Sequence, residues 1–197
     1  NVISGNAGFG INFPDSNVNS FSNRIEGNYI GLDSTGALSL GNGAGGIDIF
    51  RAGTNFIGGP AAGSRNVISG NAGPGIRLGL GSSSPVGTVI QGNFIGTDAA
   101  GTTARGNTGN GVLLLGNLSF QQATMIGGTN AGEGNRIWCN GGDGVQINST
   151  LGNAVLGNCR LAIVDPAGGA QPFACPDTGA LLVLNGEIHD HVEQRAR

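Results

Sequence analysis

The chain has 197 residues, 40 of them glycine, and a net charge of −3 from nine basic and twelve acidic residues. The basic residues are all arginine and form no stripe, so a nucleic acid is not expected as a partner. No apolar run reaches the length of about 18 residues that a membrane span requires, and the length suits one hydrophobic core.

The first element of the chain is a hexapeptide that returns later. Asn1–Asn6 (NVISGN) recurs unchanged at Asn66–Asn71, 65 residues on, and in altered form (NRIWCN) at Asn135–Asn140. Asn28–Asp33 aligns with Asn93–Asp98 at the same spacing. Because self-similarity at a long, fixed period marks repeat architectures, the sequence predicts a solenoid.

A shorter period of 22 residues lies inside the long repeat, for example from Asn1–Ile3 to Asn23–Ile25. Each unit has short clusters rich in Val and Ile between Gly, Asn, Ser and Thr, which predicts short strands bounded by turns. We therefore predict an all-β, single-stranded parallel β-helix of about seven coils at ~4.8 Å per coil. Its predicted core consists of Ile3, Ile25, Ile47, Ile68, Ile90 and Val112.

Six asparagines recur in equivalent Gly-Asn or Cys-Asn steps. Stacked coils would place them above one another, so that each side-chain amide bonds the next in a structural ladder. A ladder that satisfies the turn backbone is favoured over a ligand-binding surface. The six residues are Asn6, Asn28, Asn71, Asn93, Asn140 and Asn158.

Asp33 and Asp98 are candidate binding residues at equivalent positions of the long repeat. With three coils between them they would lie about 14 Å apart along the axis, too far for one acid/base pair. Turn formation is the favoured role of both aspartates.

The cysteines all lie in the last third of the chain. Cys159 could pair with Cys175 and tie the C-terminal segment to the last coil, or Cys139 could pair with Cys159, or all three could stay reduced.

The repeat ends at Asn158, which predicts a β-helix domain at 1–158 and a C-terminal cap or tail at 159–197. Ala180–Leu184 and Glu187–Glu193 flank Asn185-Gly186, a strong hairpin turn signal. On a strand, Glu187, His189, His191 and Glu193 would share one face and could hold Zn²⁺, or Ca²⁺ in its place. A short helix would separate the two histidines, and a polar tail would bind no metal.

The motifs at Ile57–Asn71 and Gly92–Gly101 resemble those of the bacterial parallel β-helix repeat family of secreted and cell-surface proteins. The resemblance covers about residues 1–158 and implies a right-handed coil of the pectate-lyase-like kind. It further implies an extracellular or cell-surface location, within a longer exported protein.

Because the faces of the predicted β-helix lack a convergent catalytic set, we expect a structural or polysaccharide-binding module. Its open strand edges would permit edge-to-edge self-association. One alternative is a polysaccharide hydrolase or lyase whose acids come from different coils. The other is a metal-dependent hydrolase that uses the C-terminal histidines. The local motifs of polygalacturonases are absent, so no catalytic residue is assigned.

Overall fold

The computed structural model describes residues 1–14, 22–50, 54–79, 87–115 and 124–148, and the backbone of three short strands at 154–156, 173–174 and 181–182. Within these ranges the regular structure is β-strand, apart from one 3₁₀ turn at Ala62–Ser64. No helix of the described residues is long and apolar enough to cross a membrane.

Fifteen strands form three parallel sheets of five strands each, and every third strand along the chain belongs to the same sheet. Sheet A contains β1 (Val2–Ile3), β4 (Tyr29–Ile30), β7 (Val67–Ile68), β10 (Phe94–Ile95) and β13 (Arg136–Ile137). Sheet B contains β2 (Phe9–Phe13), β5 (Gly45–Ile49), β8 (Ile76–Gly79), β11 (Val112–Leu115) and β14 (Val145–Asn148). Sheet C contains β3 (Arg24–Ile25), β6 (Phe56–Gly58), β9 (Val89–Gln91), β12 (Thr124–Ile126) and β15 (Ala154–Leu156).

This arrangement confirms the predicted class, an all-β parallel β-solenoid. The predicted core is also confirmed, because five of its six residues are buried and the half-buried Ile3 packs against them. The strands have two to five residues, and their inward side chains are mainly β-branched. Most strands end beside a Gly, Asn or Ser that turns the chain.

The predicted number of seven coils is wrong, because within the described residues five strands per sheet make five coils. Ile3, Ile25 and Ile47, each 22 residues apart, lie on sheets A, C and B rather than in one column. The step of 22 residues therefore covers two sides of the triangular coil. Three such steps make two coils, so the 65-residue repeat is a pair of coils.

The two coils of a pair differ at the corner between sheets A and B. In coils one, three and five this corner is the hexapeptide, as in Asn66–Asn71, whereas in coils two and four it is extended by nine residues. The additions form corner loops, each closed by an antiparallel bridge, Leu32 to Ser39 in coil two and Thr97 to Ala104 in coil four. Short and long coils thus alternate along the solenoid.

Few C-terminal features fall within the described residues. Beyond β15, two short strands pair antiparallel, β16 (Phe173–Ala174) and β17 (Leu181–Leu182). The predicted turn at Asn185-Gly186 lies outside the described residues, and the cap and the domain boundary stay predictions. Cys139 is a free, exposed thiol, so the alternative Cys139–Cys159 pair is not formed.

Candidate functional site

Ten asparagine side chains form two ladders, one at each end of the sheet A strands. Asn71 in the first ladder donates to Asn107 Oδ1 from its backbone N–H (3.1 Å) and from Nδ2 (2.8 Å). Its own Oδ1 accepts the same two bonds from Asn42, one coil below. The first ladder is Asn6, Asn42, Asn71, Asn107 and Asn140. The second ladder is Asn1, Asn28, Asn66, Asn93 and Asn135.

The structure therefore divides the six predicted ladder residues. Asn6, Asn71 and Asn140 stand in the first ladder and Asn28 and Asn93 in the second, so they do not form the single stack that was predicted. Asn158 lies outside the described residues. The predicted residues fall into two ladders because residues 22 positions apart, such as Asn6 and Asn28, lie at different corners of the triangular coil.

Asn42 and Asn107 are ladder residues that sequence analysis missed, although they also stand 65 residues apart in Gly-Asn steps. Both are fully buried and hydrogen-bonded to strand carbonyls as well as to the ladder. Amides so engaged can hold neighbouring coils in register, but they present no free polar atom to a ligand.

Asp33 and Asp98 lie at the start of the two corner loops, two coils apart rather than the predicted three. Asp33 Oδ1 accepts hydrogen bonds from the backbone N–H groups of Leu38 and Ala37, both at 3.1 Å. Asp98 Oδ1 accepts them from Thr102 (2.8 Å) and Thr103 (3.1 Å). Both carboxylates thus serve their own loop, and a role for them in ligand binding stays a prediction.

These backbone bonds also set the acidity of the two aspartates. The N–H of Leu38, followed by the Thr35 hydroxyl, holds the pKa of Asp33 below 3.8. The backbone N–H of Thr103 does the same most strongly for Asp98. Because the shift favours the ionised form, neither carboxyl resembles a general acid, whose pKa must be raised toward neutrality.

The outer face of sheet B carries one partly buried ion pair. Arg77 donates to Asp48 through Nε (2.8 Å) and through its terminal nitrogen (2.7 Å), and its guanidinium lies 4.6 Å from the ring centre of Phe9. The hydrogen bond to Asp48 raises the pKa of Arg77. A bidentate pair stacked on an aromatic ring is fixed in place, which fits a structural role across coils one to three.

No group of three or more His, Cys, Asp or Glu side chains that could hold a metal is found within the described residues. The predicted metal ligands Glu187, His189, His191 and Glu193 lie outside those residues, so Zn²⁺ or Ca²⁺ binding there stays a prediction. The described faces of the solenoid thus offer saturated amides and ion pairs rather than a convergent catalytic set.

Comparison with known proteins finds similarity in the C-terminal third of the chain. Residues 129–197 match the family described as "Glutamine amidotransferase domain". Asparagine synthetase [glutamine-hydrolyzing] of Asparagus officinalis is 46% identical over 46 residues, 23% of this chain and 8% of that protein. Asparagine synthetase [glutamine-hydrolyzing] of Triphysaria versicolor is 49% identical over 45 residues, 23% of this chain and 8% of the relative. No solved structure matches.

The aligned part is thus a small fraction of the relatives' length, and the family match covers about a third of this chain. The match also overlaps the solenoid. It begins at Thr129, ahead of β13, β14 and β15, and these strands pair in register with coil four.

These similarities overturn the predictions that rested on the bacterial β-helix family. The assignment to that family, with its bacterial and secreted character, is wrong. So are the expected functions, namely the structural or polysaccharide-binding module and both hydrolase alternatives. The extracellular location, which had no other support, is wrong as well. A repeat constrains shape, whereas the similarity to amidotransferases lies in residues 129–197, which include coil five as well as the segment that was interpreted as a cap.

Proposed function

We propose that this chain takes part in glutamine-dependent transfer of amide nitrogen, and that the glutamine chemistry belongs to residues 129–197. The observation that carries the proposal is the match of this segment to the glutamine amidotransferase domain family. Several plant relatives whose names include "glutamine-hydrolyzing" support it, with identities of 46–49% in the aligned stretch.

The reaction is the hydrolysis of the side-chain amide of glutamine by water, which gives glutamate and ammonia. Asparagine synthesis, named for the relatives, would also require a site that activates the nitrogen acceptor. Because the aligned stretch is 8% of those proteins, the proposal is restricted to the glutamine half of the reaction.

The distribution of thiols agrees with this assignment. Cys139, Cys159 and Cys175 are the three cysteines of the chain, and all lie within the matched segment. A thiolate can attack the amide carbon of glutamine, and the nitrogen then leaves as ammonia after protonation. Water hydrolyses the resulting thioester, which returns the thiol and releases glutamate.

The test is ammonia release by the purified full chain with L-glutamine, and with L-asparagine as the control substrate. We expect release from glutamine alone, and covalent labelling by a diazoketone analogue of glutamine. In that reaction the diazo carbon takes up a proton, the thiolate forms an S–C bond to this carbon, and N₂ departs. Mass spectrometry of the labelled peptides would identify the attacking cysteine.

A matched set of variants sharpens this test. Cys159→Ala and Cys175→Ala each remove one thiol that follows β15 in the sequence, whereas Cys139→Gly restores the residue found at the same corner in coils one and three. Loss of activity in one variant identifies the nucleophile. Absence of both hydrolysis and glutamine binding in the folded chain would contradict the proposal.

A further inference from the structure

The dipeptide Asn42-Gly43 places a chemically reactive sequence inside the first ladder. In an Asn-Gly step the backbone nitrogen of the glycine can attack the side-chain amide carbon of the asparagine, because glycine has no Cβ to obstruct the approach. The side-chain nitrogen then leaves as ammonia and a succinimide ring forms. Water opens this ring to aspartate or isoaspartate, so the sum of the steps is the hydrolysis of one amide.

The native fold withholds both reacting groups. The N–H of Gly43 donates to Asn6 O at 2.7 Å, so the attacking nitrogen keeps its proton and faces coil one. The amide of Asn42 is bound elsewhere, because Nδ2 donates to Asn71 Oδ1 at 2.8 Å and to Ile3 O at 3.1 Å. Asn42 is also fully buried, which excludes the water that would open the ring. The reaction therefore requires that these coils open.

Both residues of the dipeptide are needed where they stand. Asn42 Oδ1 accepts from the backbone N–H of Asn6 at 3.1 Å and from its Nδ2 at 2.8 Å, which continues the ladder. Glycine follows because a Cβ at position 43 would collide with Ala7 O in coil one. In coils one, three and four, by contrast, alanine or threonine follows the ladder asparagine. The reactive step thus results from the close packing of coil two on coil one.

The product of the reaction does not fit the place of the asparagine. An aspartate at position 42 would turn a carboxylate oxygen toward Asn71 Oδ1 and Ile3 O, both of which are acceptors. It would also place a charge at a fully buried position. Isoaspartate adds one methylene to the main chain and so shifts the register of the coil. A chain that has reacted cannot rebuild the ladder, and its unfolding becomes irreversible.

We propose that Asn42 is a latent deamidation site, which the ladder keeps closed in the native chain and which reacts when coils one to three open. The time that a chain spends open then determines how much of it can refold. The ladder contacts of residues 3–71 carry this proposal without any contribution from the glutamine chemistry.

Asn110-Gly111 is a matched control, because it is an Asn-Gly step that stands outside both ladders. Asn110 Oδ1 accepts from Asp143 N at 2.8 Å, and a carboxylate oxygen would still do so. Its Nδ2 donates to Gln146 Oε1 at 2.8 Å, and the glutamine amide can turn over to donate in its place. Deamidation of Asn110 should therefore leave the chain able to refold.

The first test is incubation of the full chain in mildly alkaline buffer, with and without guanidinium chloride, followed by peptide mapping with mass spectrometry. We expect Asn42 to deamidate at least about a hundredfold more slowly in the native chain, because a core segment opens only rarely. In guanidinium chloride Asn71 should stay largely intact, because the Cβ of Ala72 obstructs the attack. Native and unfolded rates at Asn42 within about tenfold of each other would overturn the proposal.

Refolding tests the consequence. After increasing times in guanidinium chloride the chain is diluted into buffer, and the refolded and misfolded fractions are separated by size and mapped. We expect deamidated Asn42 only in the misfolded fraction, and deamidated Asn110 in both. Asn42→Asp and Asn110→Asp supply the two products directly, and only the second should refold. Equal shares of deamidated Asn42 in the two fractions would overturn the proposal, as would a chain that fails to refold before Asn42 has reacted.

Discussion

Replacing Asn71 by alanine tests whether the asparagine ladders hold the coils together. Asn71 is fully buried, and its Oδ1 accepts from the backbone N–H of Asn42. In Asn71→Ala this buried N–H loses its acceptor, whereas Asn42 Nδ2 keeps its bond to Ile3 O. One orphaned buried donor costs about 1–3 kcal/mol. With the small cavity added, we expect a loss of about 2–4 kcal/mol in the free energy of unfolding.

Asn71→Asp separates hydrogen bonding from packing, because it keeps the shape of the side chain and removes the Nδ2 donor. A carboxylate oxygen would then face Asn107 Oδ1, so this variant should be less stable than Asn71→Ala. Asn12→Ala, an exposed asparagine of β2, should change stability by less than about 0.5 kcal/mol. Urea unfolding at constant m value measures all three. If Asn71→Asp is as stable as the parent chain, the ladder has no energetic role.

Three further changes have definite expected outcomes. Ile68→Asp places an unpaired charge in the core and should abolish the β-sheet circular dichroism signal at 25 °C; a folded variant would contradict the assigned core. Gly31→Ala should lower the melting temperature, because φ is +92° and a Cβ would lie 2.2 Å from Ser69 O, whereas Gly8→Ala, with open space around it, should not. By NMR the pKa of Asp98 should lie below that of an unfolded aspartate, about 3.9, so its stabilisation is present above the unfolded pKa and is lost as pH falls through the lower folded value; Asp98→Asn should remove that part of the pH dependence.

The class of fold could be predicted from the sequence because the repeated Ile and Val positions mark the buried side chains. The sequence was not sufficient for the number of coils. Ile3 and Ile25 lie on strands of two different sheets but have similar neighbours in the sequence, so a step between two sheets looks the same as a step of one coil. Only the pairing of Ile3 with Ile30, in place of Ile25, distinguishes the two.

The candidate site was harder to predict for a different reason. Asp33 and Asp98 were recognised as turn residues because an aspartate that bonds its own loop leaves a local signature. The likeness of residues 129–197 to amidotransferases has no period, and its first part coincides with coil five. The repeat therefore assigns Asn135–Asn140 correctly to the solenoid, but it gives no sign that the same segment also resembles amidotransferases.

The alternation of short and long coils has a consequence for how the length of this molecule can change. The corner loops of coils two and four touch across the short coil between them, with Ala99 N–H donating to Gly36 O at 2.9 Å and Arg105 Nε donating to Ala37 O at 2.6 Å. Insertion or deletion of a single coil would break this alternation and bring two loops, or two bare corners, together. Gene duplication or protein engineering that preserves these contacts must therefore add or remove coils in pairs, so the permitted lengths of the rod differ by whole 65-residue units.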